Sequence, residues 1–416
     1  MINLVGWIVL AALVVDHVVG VFATLLNLRA LDAHLPDEFA DTYDQSEYER
    51  SQLYTRAKSR LGLFSDTLGL IVLIAFWFSG GFEFVDRLVR ETGFGEVATG
   101  VLFIFALLFG QSLLELPFTL FRTFVMEKRF DFNKTTATTF LIDRIKGIAL
   151  ALILGAPLLA VILAFFLYAG SFAWLYCWML VVLFSLAMQY LAPTLIMPLF
   201  NKFEPLEPGE LRDAIIGYAS HASFPLRNVF VMDGSKRSTK SNAFFTGFGR
   251  NKRVVLFDTL IKQHGVEEIV AIVAHEIGHY RKRHIMQGIA VSIVHSGVML
   301  FLLSLALSSP ALYEAFFVTQ QSIYAGLVFF GLLFSPVEML LSIAMNALSR
   351  HNEFEADRFA ADTTEAPGSL VAALKRLSTV NLANLTPHPL YVSLYYSHPP
   401  VTERIRALKL QTYTIY

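Results

Sequence analysis

Val273–Arg283, VAHEIGHYRKR, stands where the one long polar region of the chain, Asn201–Arg283, gives way to an apolar run, Ile285–Leu307. It contains His275-Glu276-Ile277-Gly278-His279, an H-E-x-x-H pattern. On an α-helix, residues four apart share a face, roughly 40° apart around the axis. Both imidazoles can then reach one metal ion while Glu276 leans over the same point. Such a pair suits Zn²⁺, which takes nitrogen and oxygen ligands tetrahedrally and keeps one position open for water in catalytic sites. An acidified water with a carboxylate beside it to accept a proton is the working part of a metal-dependent hydrolase. Upstream, Gly265–Ala274 reads as the start of that helix, with acids in its first turn and an apolar run after them. Gly278 weakens a helix interior by about 1 kcal/mol relative to Ala, so its place in the motif implies that something needs room there.

The chain around this stretch is hydrophobic. Of 416 residues, 55% are apolar and only 16% charged, and the mean hydropathy is +0.54. Soluble domains carry about 25% charged residues, so this is the composition of a multi-span membrane protein with a polar part attached. A net charge of −1 gives no case for nucleic-acid binding. The single cysteine, Cys177, lies in an apolar run and excludes both an intrachain disulfide framework and a cysteine-rich zinc site. Any zinc must be held by histidines and carboxylates. The N-terminus lacks the basic start and small-residue cleavage site of a signal peptide and reads as a retained first span.

Seven segments reach the ~20 apolar residues that cross a bilayer: Leu4–Leu28, Leu61–Phe82, Ala98–Phe121, Ile148–Ala169, Phe172–Ile196, Ile285–Leu307 and Ile323–Leu348. Lys and Arg set their orientation. The first connection holds Arg29, Arg50, Arg56, Lys58 and Arg60, the second only Arg87 and Arg90. The third holds Arg122, Lys128, Arg129, Lys134, Arg144 and Lys146, and the fourth none. The fifth ends in Arg281-Lys282-Arg283, and the sixth, Ser308–Ser322, has none. Rich and poor alternate, which predicts the N-terminus outside and both the H-E-x-x-H segment and the C-terminus in the cytoplasm. Between spans five and six, Glu207–Ala222 reads as an amphipathic helix, Val229–Met232 and Val254–Phe257 as strands, and Ser241–Phe248 as a third. Within the spans, Asp16, His17, Asp66, Gln111, Glu115, Gln189, His295 and Glu338 are too many for lipid-facing positions and together imply a wet interior.

Two histidines leave zinc one protein ligand short. The best region for a third is Ser349–Ala360, directly after span seven and on the motif's side. Glu353 and Asp357 share a helix face there, while Glu355 points elsewhere. Glu353 as ligand and Asp357 as the carboxylate that orients a ligand imidazole is a sensible division. An exposed acidic face, or Glu338 as the ligand, remain the alternatives on spacing alone.

Further motifs extend the pattern over nearly the whole chain: Thr123–Glu127 with Phe132–Thr135, Pro198–Leu206, Ser241–Phe248, His275–His279, Ser349–Ala360, and Tyr396–Pro400 with Glu403-Arg404. On these residues the chain resembles the integral-membrane CAAX prenyl protease 1 family, zinc metallopeptidases of gluzincin type. The resemblance implies an all-α multi-pass membrane protein, seven long helices around a water-filled intramembrane chamber, with a cytoplasmic α+β zincin-like part. It implies one zinc ion on His275, His279 and Glu353, Glu276 as catalytic base, and Asp357 beside a ligand, sometimes assigned as a proton donor. It also implies His398 as a stabiliser of the tetrahedral intermediate, and Asn242, Ala243 and Arg404 as substrate-binding residues, the first two on a strand edge where an extended substrate lies and Arg404 close by His398.

The expected division is 1–200 for spans one to five, 201–283 for the cytoplasmic protease part, 284–348 for spans six and seven, and 349–416 for a cytoplasmic helical part bearing the third ligand. The function implied is a membrane zinc metalloendopeptidase acting on a peptide or protein substrate, prenylated or not. A transporter whose buried polar residues line a path, or an inert scaffold, are the rival readings. Eukaryotic members are somewhat longer between spans six and seven, where this chain has only 15 residues, and the tail lacks an endoplasmic-reticulum retrieval signal. The compact form points to a bacterial inner-membrane member, with the endoplasmic-reticulum membrane as the alternative.

Overall fold

The structure, a computed structural model, describes residues 2–226, 228–246, 253–364 and 366–414. Five long apolar helices come first: α1 (Leu4–Arg29), α2 (Gln45–Phe78), α3 (Glu96–Arg129), α4 (Ala137–Tyr168) and α5 (Gly170–Phe200). The polar region follows with β1 (Phe203–Pro205), α6 (Glu210–His221), β2 (Asn228–Met232), β3 (Ala243–Thr246), β4 (Arg253–Phe257) and α7 (Val266–Arg281). Two more long helices, α8 (His284–Ala306) and α9 (Ile323–Thr364), return the chain through the apolar layer. The tail adds α10 (Pro367–Val380), α11 (Pro389–Tyr395) and α12 (Val401–Thr414).

All seven expected spans are helical, though the second, expected at Leu61–Phe82, ends at Phe78, where a turn through a left-handed Gly80 leads into a separate short helix, Gly81–Arg90. Between 6 and 17% of each span's apolar window is buried, far too little for the middle of a packed bundle. They form a wall about one helix thick, with lipid on one side and a cavity on the other. Two cavities of about 600 and 450 Å³ share Asp16, Gly20 and Tyr395, and His17, Asp66 and Glu338 also line them. Asp16, His17, Asp66 and Glu338 thus face space inside the wall, as the reading of a wet interior requires, while Gln111, Glu115, Gln189 and His295 line neither of these two cavities. Glu338 is paired with His295 at 2.9 Å, and among the described residues it is Glu353, not Glu338, that groups with His275 and His279. Gln111 donates to Glu115.

The two ends of the wall differ in charge as the Lys and Arg pattern predicts. At the poor end, Asn3 donates to the Ala311 carbonyl and the Trp77 indole N–H to that of Ala315. Arg87 and Arg90 lie there too, but each pairs with an acid one turn earlier, Glu83 and Asp86. At the rich end, Arg50 pairs with Asp131 and Arg237 with Asp143. Asn27, near the end of α1, accepts from the His388 N–H, which puts the tail at this rich end.

The strands form a four-stranded sheet in the order β1-β2-β4-β3. β2 and β4 pair in parallel, and β3 runs antiparallel to β4. β3 is thus an edge strand. The expected third strand is shorter than Ser241–Phe248, whose last two residues lie outside the described residues. β1 was not legible: it is a three-residue strand ending in Pro205 on the opposite edge, where a missing N–H is tolerated. Val229, Val254 and Leu256 from the sheet pack with Ile269, Ile272, Val273 and Ile277 of α7 in one core. That core fixes α7, and with it the polar face carrying the motif.

Candidate metal centre

α9 brings the site together. Its 42 residues give a length of about 63 Å, roughly twice the hydrocarbon core of a bilayer. The last 16 of these residues, beyond Leu348, run on past the membrane and lie along α7. The helices touch where Gly278 meets Ala356: a Cβ on Gly278 would sit 3.1 Å from the Ala356 Cα and carbonyl oxygen. This is the room the sequence implied. A bulkier residue would push α9, and Glu353 with it, away from the histidines.

The close approach places His275, His279 and Glu353 so that one ligand atom from each lies within 4.8 Å of the others. The two Nε2 atoms are 3.1 Å apart. Glu353 Oε2 is 3.4 Å from His275 Nε2, and Oε1 is 3.2 Å from His279 Nε2. Glu353 is only 3% exposed, and a charged group so buried needs a counter-charge. The Nδ1 atoms face outward to other partners. His275 Nδ1 lies 2.9 Å from Asp357, an acceptor-only carboxylate that fixes the proton on Nδ1 and leaves the Nε2 lone pair pointing inward. His279 Nδ1 lies 3.0 Å from His284 Nδ1, whose Nε2 is 3.0 Å from Glu355. If His284 donates to Glu355, it accepts from His279, and the second Nε2 lone pair also points inward. Two imidazole nitrogens and a carboxylate with converging lone pairs are a donor set that fits zinc.

Glu276, partly buried beside this triad, comes within hydrogen-bond reach of the Phe245 N–H of β3. Burial pushes its carboxyl above the ordinary glutamate range, against the pull of the two imidazoles. For His275, burial disfavours protonation, but Asp357 and Glu353 outweigh it and raise the ring to about 9. A cleft of about 360 Å³ opens onto Glu276 and His279, with Phe245 and His284 on its walls.

His398 Nε2 lies 3.3 Å from Glu353 Oε1, with the ring still 64% exposed. It sits at the rim of the triad rather than inside it. The loop bearing it is held by α9: Arg350 donates to the carbonyls of Val392 and Tyr396, and Asn346 to that of Leu394. Asn242 and Ala243 stand where β3 begins, Asn242 exposed and its Oδ1 accepting the Ala243 N–H. Arg404 differs from its expected contact with substrate. It is 9% exposed and grips Asp357 with two hydrogen bonds of 2.6 and 2.7 Å, with Nη1 3.3 Å from Glu353. Asp357 likewise has both oxygens engaged, by His275 and Arg404, which favours an orienting role over proton donation. Sequence reasoning missed His284, Asn346, Arg350 and Asn381, whose amide brackets Ser241 from both backbone sides. It also sent Glu355 away from the site. Only His284, one residue beyond the basic run, carried a signal.

Residues 24–202 match the family described as CAAX prenyl protease N-terminal, five membrane helices, and residues 205–412 match Peptidase family M48. The chain is 36% identical to the CAAX prenyl protease 1 homolog of Arabidopsis thaliana, over 94% of this chain and 95% of that protein. It is 34% identical to CAAX prenyl protease 1 of Saccharomyces cerevisiae, over 91% and 89%, and 32% to the Homo sapiens homolog, over 90% and 89%. The crystal structure of S. mikatae Ste24p is similar at a TM-score of 0.93 and 32% identity, over 98% of this chain and 100% of that one.

Proposed function

The chain belongs to the CAAX prenyl protease 1 family and is a multi-pass membrane metallopeptidase, and from that premise we propose that it is a zinc endopeptidase acting at the C-termini of prenylated CAAX-type peptides. The observation that carries the site assignment is the convergence of His275, His279 and Glu353 from α7 and α9. These three would hold one zinc ion, which supplies Lewis acidity toward the scissile carbonyl and toward water. Glu276 takes the proton from the attacking water and delivers it to the leaving nitrogen. An N–H of His398 donates to the carbonyl oxygen as charge builds there, an effect worth several kcal/mol. Asp357, held by Arg404, orients His275. The outer edge of β3, unpaired among the described residues, receives the substrate at Asn242 and Ala243 as an added strand.

Such an edge reads main chain rather than side chains, which supports a second reading, broader membrane-protein or peptide quality control. A transporter or an inert scaffold is not favoured by membership of a peptidase family. The active site is assigned to the cytoplasmic side by the Lys and Arg pattern. The plant relative matches nearly equal shares of both chains, so compactness no longer separates a bacterial inner membrane from the endoplasmic reticulum. The test is to incubate the purified protein with prenylated and unprenylated peptides, with and without a zinc chelator, and to weigh the fragments. Chelator-sensitive release of a short C-terminal fragment supports the proposal, and intact peptides in every arm would end it.

A further inference from the structure

The larger cavity, of about 600 Å³, carries two cations that the proposed mechanism does not use: Lys58 of α2 and Arg122 of α3. Both are exposed to it, and neither makes a hydrogen bond or ion pair among the described residues. The nearest acid is already engaged. Glu127 accepts from the Tyr54 hydroxyl at 2.6 Å on Oε1 and from Lys240 Nζ at 3.1 Å on Oε2. Lys58 lies within electrostatic reach of Lys240, Arg122 and Glu127, so three cations share one carboxylate. Asp16 and Asp66 line the same cavity, but Asp66 stands eight residues further along α2 than Lys58, about 12 Å deeper into the membrane. The end toward Lys240 therefore holds an uncompensated positive charge in a partly enclosed space, where a matching anion is favoured.

Lys240 fixes where this end lies relative to the metal centre. It stands two residues before Asn242 and three before Ala243, the first residue of the edge strand. Phe245, two residues on, faces Glu276. At about 3.3 Å per extended residue, a peptide on β3 that leaves past Ala243 reaches the level of Lys240 about 10 Å further on. Counted from Phe245, the residue beside Glu276, that is about five residues beyond the cut.

We propose that Lys58 and Arg122 form the subsite for the C-terminal carboxylate of the peptide substrate. This rests on the endopeptidase reading above and deepens it. The subsite makes the enzyme count from the free end of its substrate, so that the cut falls a fixed short distance from the terminus. It also fixes the direction of binding: the substrate runs antiparallel to β3, its C-terminus toward Ser241 and Lys240.

Two peptides of identical sequence test this, one ending in a free acid and one in a C-terminal amide, which removes the charge and little else. For the unaltered protein, kcat/KM for the acid should exceed that for the amide by about tenfold or more, the effect of one charge-assisted hydrogen bond. Lys58→Met and Arg122→Met should each pull that ratio toward one, mainly through KM, while Lys58→Arg should keep it high. Because the readout is a ratio within one preparation, a poorly folded variant that loses both activities equally does not mimic the result. The proposal is overturned if the unaltered protein cuts acid and amide alike, or if Lys58→Met and Arg122→Met leave the ratio unchanged. If the unaltered protein cuts neither peptide, the endopeptidase reading fails first and takes this one with it.

Discussion

Gly278 of α7 rests against the backbone of Ala356 in α9, and a methyl group added there would fall 3.1 Å from both the Cα and the carbonyl oxygen. Those atoms are main chain and cannot swing aside, and Phe359 closes the third direction at 3.1 Å. In an isolated helix Gly→Ala gains about 1 kcal/mol. Here overpacking, which costs about 1–3 kcal/mol, should outweigh it. Gly278→Ala is expected to lower the thermal midpoint in detergent and to reduce bound zinc per chain, with Gly278→Val worse in both. A rise in stability with full zinc content would contradict the close approach of these helices.

Glu276 should separate catalysis from metal binding. Glu276→Gln keeps the shape and removes the base, so turnover should fall by about 10²–10⁴-fold while metal analysis still finds one zinc per chain. His275→Ala and Glu353→Ala should instead lose the zinc, since each removes one of three ligands. Normal zinc content in either variant would take that residue out of the ligand set.

Protons and the metal compete for the site. The metal needs His275 neutral, yet its carboxylate neighbours hold the protonated ring up to about 9. Apparent zinc affinity should therefore rise with pH up to about 9, and zinc binding at pH 7.5 should release protons, measurable by titration calorimetry in buffers of different ionisation enthalpy. Glu276 works in the same sense. Burial raises its pKa, and only the ionised form accepts a proton. Activity should fall on acidification from a higher pH than an exposed glutamate would give, and Glu276→Gln should abolish that limb of the profile. A zinc affinity flat from pH 6 to 9 would refute the first part.

What could be read in advance follows from how local each signal is. The spans are set by runs of apolar residues and the alternation of Lys and Arg, both local, and all seven appear as helices. The pairing of His275 with His279 is local too, one turn of one helix. Glu353 was a candidate by position, but spacing could not separate it from Glu338. What separates them is three-dimensional: Glu338 meets His295 within the membrane, while Glu353 lies beyond it against α7. β1 gave no signal because three residues ending in proline carry no period. Asn346 and Arg350 escaped because they act on carbonyls of the tail, a contact only the folded chain creates.

His284 offers the sharpest test of how the site is held. Its Nδ1 faces His279 Nδ1 at 3.0 Å and its Nε2 faces Glu355 at 3.0 Å. Glu355 can only accept, so it fixes the proton on His284 Nε2. That frees Nδ1 to accept from His279, which leaves His279 Nε2 with a lone pair for the metal. Partners of this kind are worth about 10–100-fold in metal affinity. His284→Ala should weaken zinc by an amount in that range, read by competition with a chromogenic chelator. Glu355→Ala should weaken it less, because the His284 ring stays in place and only its tautomer is released. Glu355→Gln should weaken it least, since an amide oxygen still accepts from Nε2. If His284→Ala binds zinc as tightly as the unaltered protein, His279 is oriented by packing alone and the chain of hydrogen bonds has no part in holding the metal.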